Sequence, residues 1–443
     1  MKKQNILAII IFLITLTGLS DISVAQQQRF PMPEFETEYQ IPETTRPAPR
    51  SAALEYMDVS VLLLVMGITL WLIFKKRSRK GIFWLAVFAL IYFGFFREGC
   101  ICSVGAVQNL ALALYTSEYA VPLTAMAFFI FPLAVSLFAG RILCGSACPL
   151  GIIQDVVVVK PVKLNPWLQK ALGLFPFVYL GLAILYAATG TDFKICRYDP
   201  FIGIFRMGAE FHMIALGIGF LLMGMFVARP YCRFVCPYGA LLNIGSQFSK
   251  NHLSITPKDC INCKLCKDSC PFDAIDFPTE EADLRPQPSD RRRLLLYMTL
   301  VPVFAITGAL LVSASYKTLS AVHPDVSLAN TLIAHPEKME RPDNLDIETF
   351  LSSDRTLEML VADAAIIQQK FKTGGLWLGG FIGLVIAFSL LNQVVFRKKD
   401  IYQANRGKCY SCGRCMDYCP VGKPDHPYFQ TEEGLSKLKN ITP

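Results

Sequence analysis

The chain alternates long apolar stretches with short polar or basic ones. Seven apolar stretches, near 56–74, 81–96, 121–139, 168–188, 211–228, 294–313 and 375–396, approach or reach the length of a membrane-spanning helix. A shorter run, Ile6–Thr17, follows Lys2 and Lys3 and precedes the small-residue site Ser23-Val24-Ala25. It reads as a secretory signal peptide over 1–25, or else as an uncleaved anchor. Residues 26–55 are rich in Pro and Glu and read as an exported tail. The pattern predicts an all-α polytopic membrane protein with about seven transmembrane helices after a signal peptide.

Charge orients these spans. The basic clusters Lys75–Lys80, Arg291–Arg293 and Arg397–Lys399 each abut an apolar run, which predicts that all three are cytoplasmic. Segment 314–374 is then exported. It is mostly polar, with nine Asp/Glu against six Lys/Arg, and a helix is expected near 346–370. The net charge of +8 is spent on this pattern, so nucleic acid is not an expected partner. With 53% hydrophobic and 18% charged residues, the composition excludes an ordinary soluble enzyme.

The fifteen cysteines change the picture most, because they fall in tight groups. "CINCKLCKDSCP" (Cys260–Pro271) and "CYSCGRCMDYCP" (Cys409–Pro420) both read C-x-x-C-x-x-C-x-x-x-C-P. This is the spacing of a two-cluster ferredoxin, in which three thiolates come from one loop and the fourth belongs to the other cluster. Zinc ribbons space two C-x-x-C pairs further apart, so two [4Fe–4S] clusters are expected. The predicted ligand sets are Cys260, Cys263, Cys266 and Cys419 for one, and Cys409, Cys412, Cys415 and Cys270 for the other. The residues between the halves form a transmembrane hairpin that leaves and regains the same face, so one split cytoplasmic ferredoxin-like domain is predicted.

A second pattern is an internal repeat. "RILCGSACPLGIIQD" from Arg141 and "RPYCRFVCPYGALLN" from Arg229 share R-x-x-C-x-x-x-C-P-x-G. Either Cys144, Cys148, Cys232 and Cys236 converge as a further redox or metal centre, or they are reduced helix-end packing residues. Arg141 and Arg229 either offset thiolate or cluster charge or snorkel at the interface. Upstream, Cys100, Cys102 and Cys196 lie near the exported face, as cofactor ligands or as a disulfide. The organisation expected is 56–80, first span and basic loop; 81–245, a tandem repeat of four spans; 246–290, first ferredoxin half; 291–400, hairpin; 401–443, second half and C-terminal tail.

Other chemistry is sparse. Of five histidines only His212 sits at a predicted span, and it reads as interfacial. His323 and His335 each precede a proline and read as turn residues. A b-type haem is not indicated, since histidines at the spans are too few for two axial ligands, and a c-type haem is not, since no C-x-x-C-H occurs. No P-loop or dinucleotide motif is found, and the glycines from Gly217 (GIGFLLMG) read as helix packing. No catalytic residue set emerges, which points to an electron-transfer subunit rather than a stand-alone enzyme.

Over roughly 81–270 and 376–420 these motifs resemble the NapH/NosR family of membrane-bound polyferredoxins. The resemblance implies a bacterial inner (cytoplasmic) membrane protein. It also implies electron delivery, from the cytoplasmic side or the quinone pool, to a periplasmic respiratory reductase or its electron-transfer subunits. The alternatives are an assembly or activation factor and a redox sensor. NosR-like members carry an exported flavin domain, for which 26–55 is too short. The nearest flavin-attachment string, Thr307-Gly308-Ala309-Leu310, lies inside a span and lacks the final hydroxyl residue, so no covalent FMN is expected.

Overall fold

A computed structural model describes residues 51–99, 103–116, 119, 121–191, 193–256, 260–279, 288–340, 342, 344–353, 355–394, 399–423 and 425–431. The expected signal peptide, most of the tail, Cys100, Cys102 and Arg397 lie outside the described residues. The described chain is mostly helical. Five helices are long and apolar enough to cross a membrane: Ala52–Lys76, Arg79–Phe96, Pro166–Ala188, Arg292–Ala314 and Leu357–Asn392. They coincide with five of the seven expected spans.

The other two differ. Stretches 121–139 and 211–228 form the shorter helices Leu123–Ala139 and Phe211–Gly224. The first stops at Gly140, whose φ of +78° closes the helix in front of Arg141. The chain also turns left-handed at Arg229, φ 51°, before the second motif. The first runs to Ala139 as expected and the second stops short of the expected 228; a cysteine motif follows each. A further apolar helix, Ser103–Tyr115, was not expected, since Gln108 and Asn109 interrupt its apolar run. Gln108 is buried, and its side-chain oxygen accepts the Ile195 N–H at 3.0 Å.

The hairpin pairs helix Pro288–Ala314 with helix Leu357–Val394. A stripe of glycines brings the two backbones together: a Cβ at Gly379 or Gly383 would clash with the carbonyls of Gly308 and Phe304. On the outer side, none of the most apolar window of Arg292–Ala314 is buried, which is the surface a lipid solvent requires. Gly379→Leu is therefore expected to separate the helices and destabilise the protein by about 1–3 kcal/mol or more. Gly380→Ala would meet only ordinary contacts, the Ala305 carbonyl and Ala309 Cβ at 3.9 Å, and should be neutral. Thermal unfolding of both variants in detergent gives the comparison; equal melting would refute close packing at Gly379.

The segment between the hairpin helices is folded. Helices Pro324–Ala334 and Leu345–Leu351 close over a small core with Val326, Leu332, Ile347, Phe350 and Leu360. The single helix expected near 346–370 is instead broken after Leu351 and resumes at Leu357. From there it continues for 38 residues, about 57 Å at the α-helical rise. That exceeds a hydrocarbon core of about 30 Å, so its first turns stand clear of the span and join the cap.

The two cysteine-rich halves meet. Strands Ile275–Asp276 and Gln403–Ala404 pair antiparallel, Ile275 opposite Ala404. Asp276 takes Lys399 Nζ at 2.5 Å and Asn405 Nδ2 at 3.2 Å. The hairpin thus returns the chain to its point of departure.

Candidate functional site

The two ferredoxin-type loops share one backbone. In the first, Asn262 (φ 54°) and Lys264 (φ 63°) are left-handed; in the second, Ser411 (φ 53°) and Gly413 (φ 76°) stand at the same offsets from the leading cysteine. These turns fold three sulfurs inward, and a short helix follows in each, Leu265–Ser269 and Arg414–Asp417. Cys260, Cys263, Cys266 and Cys419 line one cavity, with Ile255 and Tyr402. Burial pushes the Cys266 thiol up to about 12, and Cys263, Cys260 and Cys419 push the same way.

The second set is deeper: Cys409, Cys412 and Cys415 are all buried. Burial lifts Cys415 far above the ordinary thiol range, with Cys409, Cys412, Cys270 and then Cys266 adding. Cys409 rises to about 12, mainly through burial, with Cys412 and Cys270 contributing. The fourth cysteine of each motif therefore lies beside the other motif, and the two sets adjoin.

Cys144, Cys148, Cys232 and Cys236 also come together. They line one apolar cavity with Arg141. Burial pushes Cys148 up to about 12, helped by Cys144. Cys236 is raised well beyond the thiol range by burial, with Cys232, Cys148 and Cys144 adding. Two N–H groups reach the sulfurs: Gln154 Nε2 to Cys232 Sγ and the Gly239 amide to Cys236 Sγ, both at 3.3 Å. Among the described residues no three His, Cys, Asp or Glu side chains close on a single ion.

The arginines cross between the repeats. Arg229 of the second motif donates to the Cys144 carbonyl of the first, and grips Asp155 with Nε at 2.9 Å and Nη2 at 2.6 Å. A Cβ on Gly151 would lie 3.1 Å from Arg229 Nη1, and one on Gly239 3.1 Å from Arg141 Nη2. The glycine of each motif thus leaves room for the arginine of the other. Neither arginine snorkels: Arg141 is 4% and Arg229 0% exposed. Burial opposes ionisation of Asp155, but Arg229 beside it holds the carboxyl below its usual range.

Tyr410 joins the second ferredoxin loop to this quartet. Its hydroxyl donates to the Cys232 carbonyl at 3.3 Å. Its ring lies 4.3 Å from the Arg141 guanidinium, 5.4 Å from that of Arg229, and 4.9 Å from Phe272. The basic loop takes part as well: Arg79 donates to the Cys412 carbonyl at 2.8 Å, and Arg77 to the Ile255 carbonyl at 2.5 Å. Sequence reasoning treated that loop only as a topology signal, and it missed Tyr410, Asp155 and Gln154.

Of the outer group only Cys196 is described, and it is exposed. His212 is partly exposed beside Glu210 at 3.1 Å. His323 accepts the Asp325 N–H at 3.2 Å and caps a helix, and His335 pairs with Glu337 at 3.0 Å; both are turn residues. Gly217 packs directly on the Pro200 carbonyl.

Helices built to cross a membrane, joined to ferredoxin-type cysteine loops, define a membrane iron–sulfur protein. Residues 121–174 and 210–256 match a family model described as a 4Fe–4S binding domain, and 253–276 match a second of the same description. An uncharacterized protein of Methanocaldococcus jannaschii is 26% identical over 191 residues, 41% of this chain and 77% of that one. The regulatory protein NosR of Stutzerimonas stutzeri is 26% identical over 218 residues, 46% of this chain and 30% of NosR. The methylamine utilization ferredoxin-type protein MauN of Paracoccus denitrificans is 27% identical over 158 residues, 34% of this chain and 55% of MauN. The chain thus spans about a third of NosR and about half of MauN. No solved structure matches. Over these stretches the chain is similar to 4Fe–4S ferredoxin-type proteins such as NosR and MauN.

Proposed function

We propose that this protein carries single electrons between the cytoplasmic side, or the quinone pool, and an exported acceptor of the respiratory-reductase class. It does so in the bacterial inner membrane, with the ferredoxin loops cytoplasmic, as a subunit without catalytic residues of its own. The orientation rests on the basic clusters beside the spans. Cys260, Cys263, Cys266 and Cys419 would hold one [4Fe–4S] cluster; Cys409, Cys412, Cys415 and Cys270 a second; Cys144, Cys148, Cys232 and Cys236 a third. Four soft thiol donors in each set fit such a cluster. Bound clusters supply one-electron chemistry; the chain supplies position, burial and charge. The observation that carries the reading is the adjoining order of the three sets, with Tyr410 between the second and third. The third cluster is further supported by the match to a 4Fe–4S binding domain that spans all four of its cysteines.

A second reading is reductive activation of an exported metalloenzyme, with the folded cap over 324–364 as the partner's platform. Repeated oxidation and reduction by the acceptor favours the first reading, and a single stoichiometric reduction the second.

Iron and sulfide analysis of anaerobically purified protein tests the cofactors. About twelve iron and twelve sulfide per chain are expected from three four-iron clusters, falling to about eight in Cys232→Ser. About eight in the parent protein would remove the third cluster, and zinc in place of iron would overturn the reading.

A further inference from the structure

Arg141 is a buried guanidinium without a counter-anion among the described residues. It lines the quartet cavity and is 4% exposed. Its Nη1 donates to the Gly407 carbonyl at 3.2 Å, while its Nε has no hydrogen-bond partner. Among the described residues no carboxylate pairs with it. Burial opposes its charge, and the groups that favour it are Tyr410 and the quartet's Cys144, Cys236 and Cys232. The repeat shows where an acid would stand. Arg229 crosses to Asp155 in the first motif; by the same symmetry Arg141 would cross to position 243, which is Asn243. One arginine is neutralised within the protein and its twin is not. A cation left unpaired in a dry interior is strongly unfavourable unless a negative group absent from the protein chain completes it.

We propose that the partner of Arg141 is the quartet's own cluster, and that this unbalanced cation sets the direction of electron flow. The inference rests on the reading that the quartet holds an iron–sulfur cluster. Four thiolates around such a core leave it net negative, and reduction adds one more negative charge. Burial alone would oppose that charge. The Arg141 cation and the two N–H···S bonds from Gln154 and Gly239 favour it, and charges count for more at low dielectric. The second ferredoxin set feels these cations less: Arg141 also acts on Cys409 but most strongly on Tyr410 and the quartet cysteines, Arg229 beside Cys412 is neutralised by Asp155, and Arg79, which faces the Cys412 carbonyl, is only partly buried, where water screens it. The quartet is therefore the site that accepts electrons from the ferredoxin unit. In each transfer the second ferredoxin site loses one electron and the quartet gains one; no bond forms or breaks and no proton is required. The route is short, since Tyr410 follows Cys409 directly in sequence and its hydroxyl reaches the Cys232 carbonyl at 3.3 Å. Arg141 is a positioning charge and not a ligand.

An EPR-monitored redox titration of the full-length protein in detergent tests this, with the quartet signal assigned as the one Cys232→Ser removes. The quartet is expected to have the highest midpoint of the three. Arg141→Gln should weaken its reduction at least tenfold, a downward shift of about 59 mV for one electron, with a smaller shift at the Cys409 set and the Cys260 set little changed. Arg141→Lys, which keeps the charge, should recover most of the shift. Asn243→Asp should lower the midpoint in the same sense while leaving Arg141 in place, so the test stands even if Arg141→Gln fails to accumulate. An unmoved quartet midpoint in Arg141→Gln and Asn243→Asp, or a parent midpoint below both ferredoxin clusters, overturns the proposal. A parent protein with no signal that Cys232→Ser removes would instead defeat the underlying reading of the quartet.

Discussion

Cys270→Ser is expected to strip or damage the cluster built on Cys409, Cys412 and Cys415, while the loop Cys260–Cys266 stays loaded at first. Cys419→Ser should do the reverse. The reason is the path of the chain. The antiparallel pair Ile275–Ala404 sets the two halves head to tail, so the residue that ends each loop points across to the other. Burial is the main cause that raises the Cys270 thiol, and the cysteine it feels is Cys412. Cys419 shares a cavity with Cys260, Cys263 and Cys266. A four-iron cluster deprived of one thiolate loses iron or is lost, so each substitution should erase a signal in the opposite half. EPR of the two variants, with signals assigned through Cys263→Ser and Cys412→Ser, decides the matter. If Cys270→Ser reproduces Cys263→Ser, each loop serves its own cluster and the exchange is wrong.

Arg229→Leu should be the most destabilising change outside the cysteines. It would leave Asp155 buried and unpaired and the Cys144 carbonyl without its donor, a loss of about 3–5 kcal/mol for one partner removed from a buried ion pair. Asp155→Leu should cost a similar amount, because it strands Arg229. In the double variant neither charge remains, and much of the loss should return. Denaturant or thermal unfolding in detergent measures all three. Simple addition of the two single losses would mean that the pair is not the source of the effect, and that Arg229 acts through its stacking on Phe272 and Tyr410.

The sidedness signals, the cysteine spacings and the R-x-x-C-x-x-x-C-P-x-G repeat are local properties, so they are legible along the chain. An apolar run long enough for a bilayer is a helix whatever surrounds it, and five of the seven expected spans follow from this. Ligand spacing within a loop is equally local, because three sulfurs on one turn need no distant segment. The helix Ser103–Tyr115 is not legible in the sequence because Gln108 and Asn109 break its apolar run, and the groups their side-chain oxygens accept, the Ile195 amide and the Tyr119 hydroxyl, lie outside it. Helix Phe211–Gly224 stops before its apolar residues run out, ahead of the motif that begins at Arg229.

What the amino-acid sequence by itself determined, then, is a membrane iron–sulfur protein with two ferredoxin-type loops and a twofold internal repeat. Only the tertiary structure decided which of its parts meet. The convergence of Cys144, Cys148, Cys232 and Cys236, the crossing of each arginine to the other motif and the seat of Tyr410 all join residues far apart along the chain. Asp155 and Asn243 were in plain view, but their difference acquires meaning only when Arg229 and Arg141 are known to cross. The physical reason is that periodicity and spacing encode the conformation of a segment, whereas contact between segments depends on which surfaces can approach. Here that approach is granted by glycines such as Gly151, Gly239 and Gly379, whose neighbours no local pattern specifies.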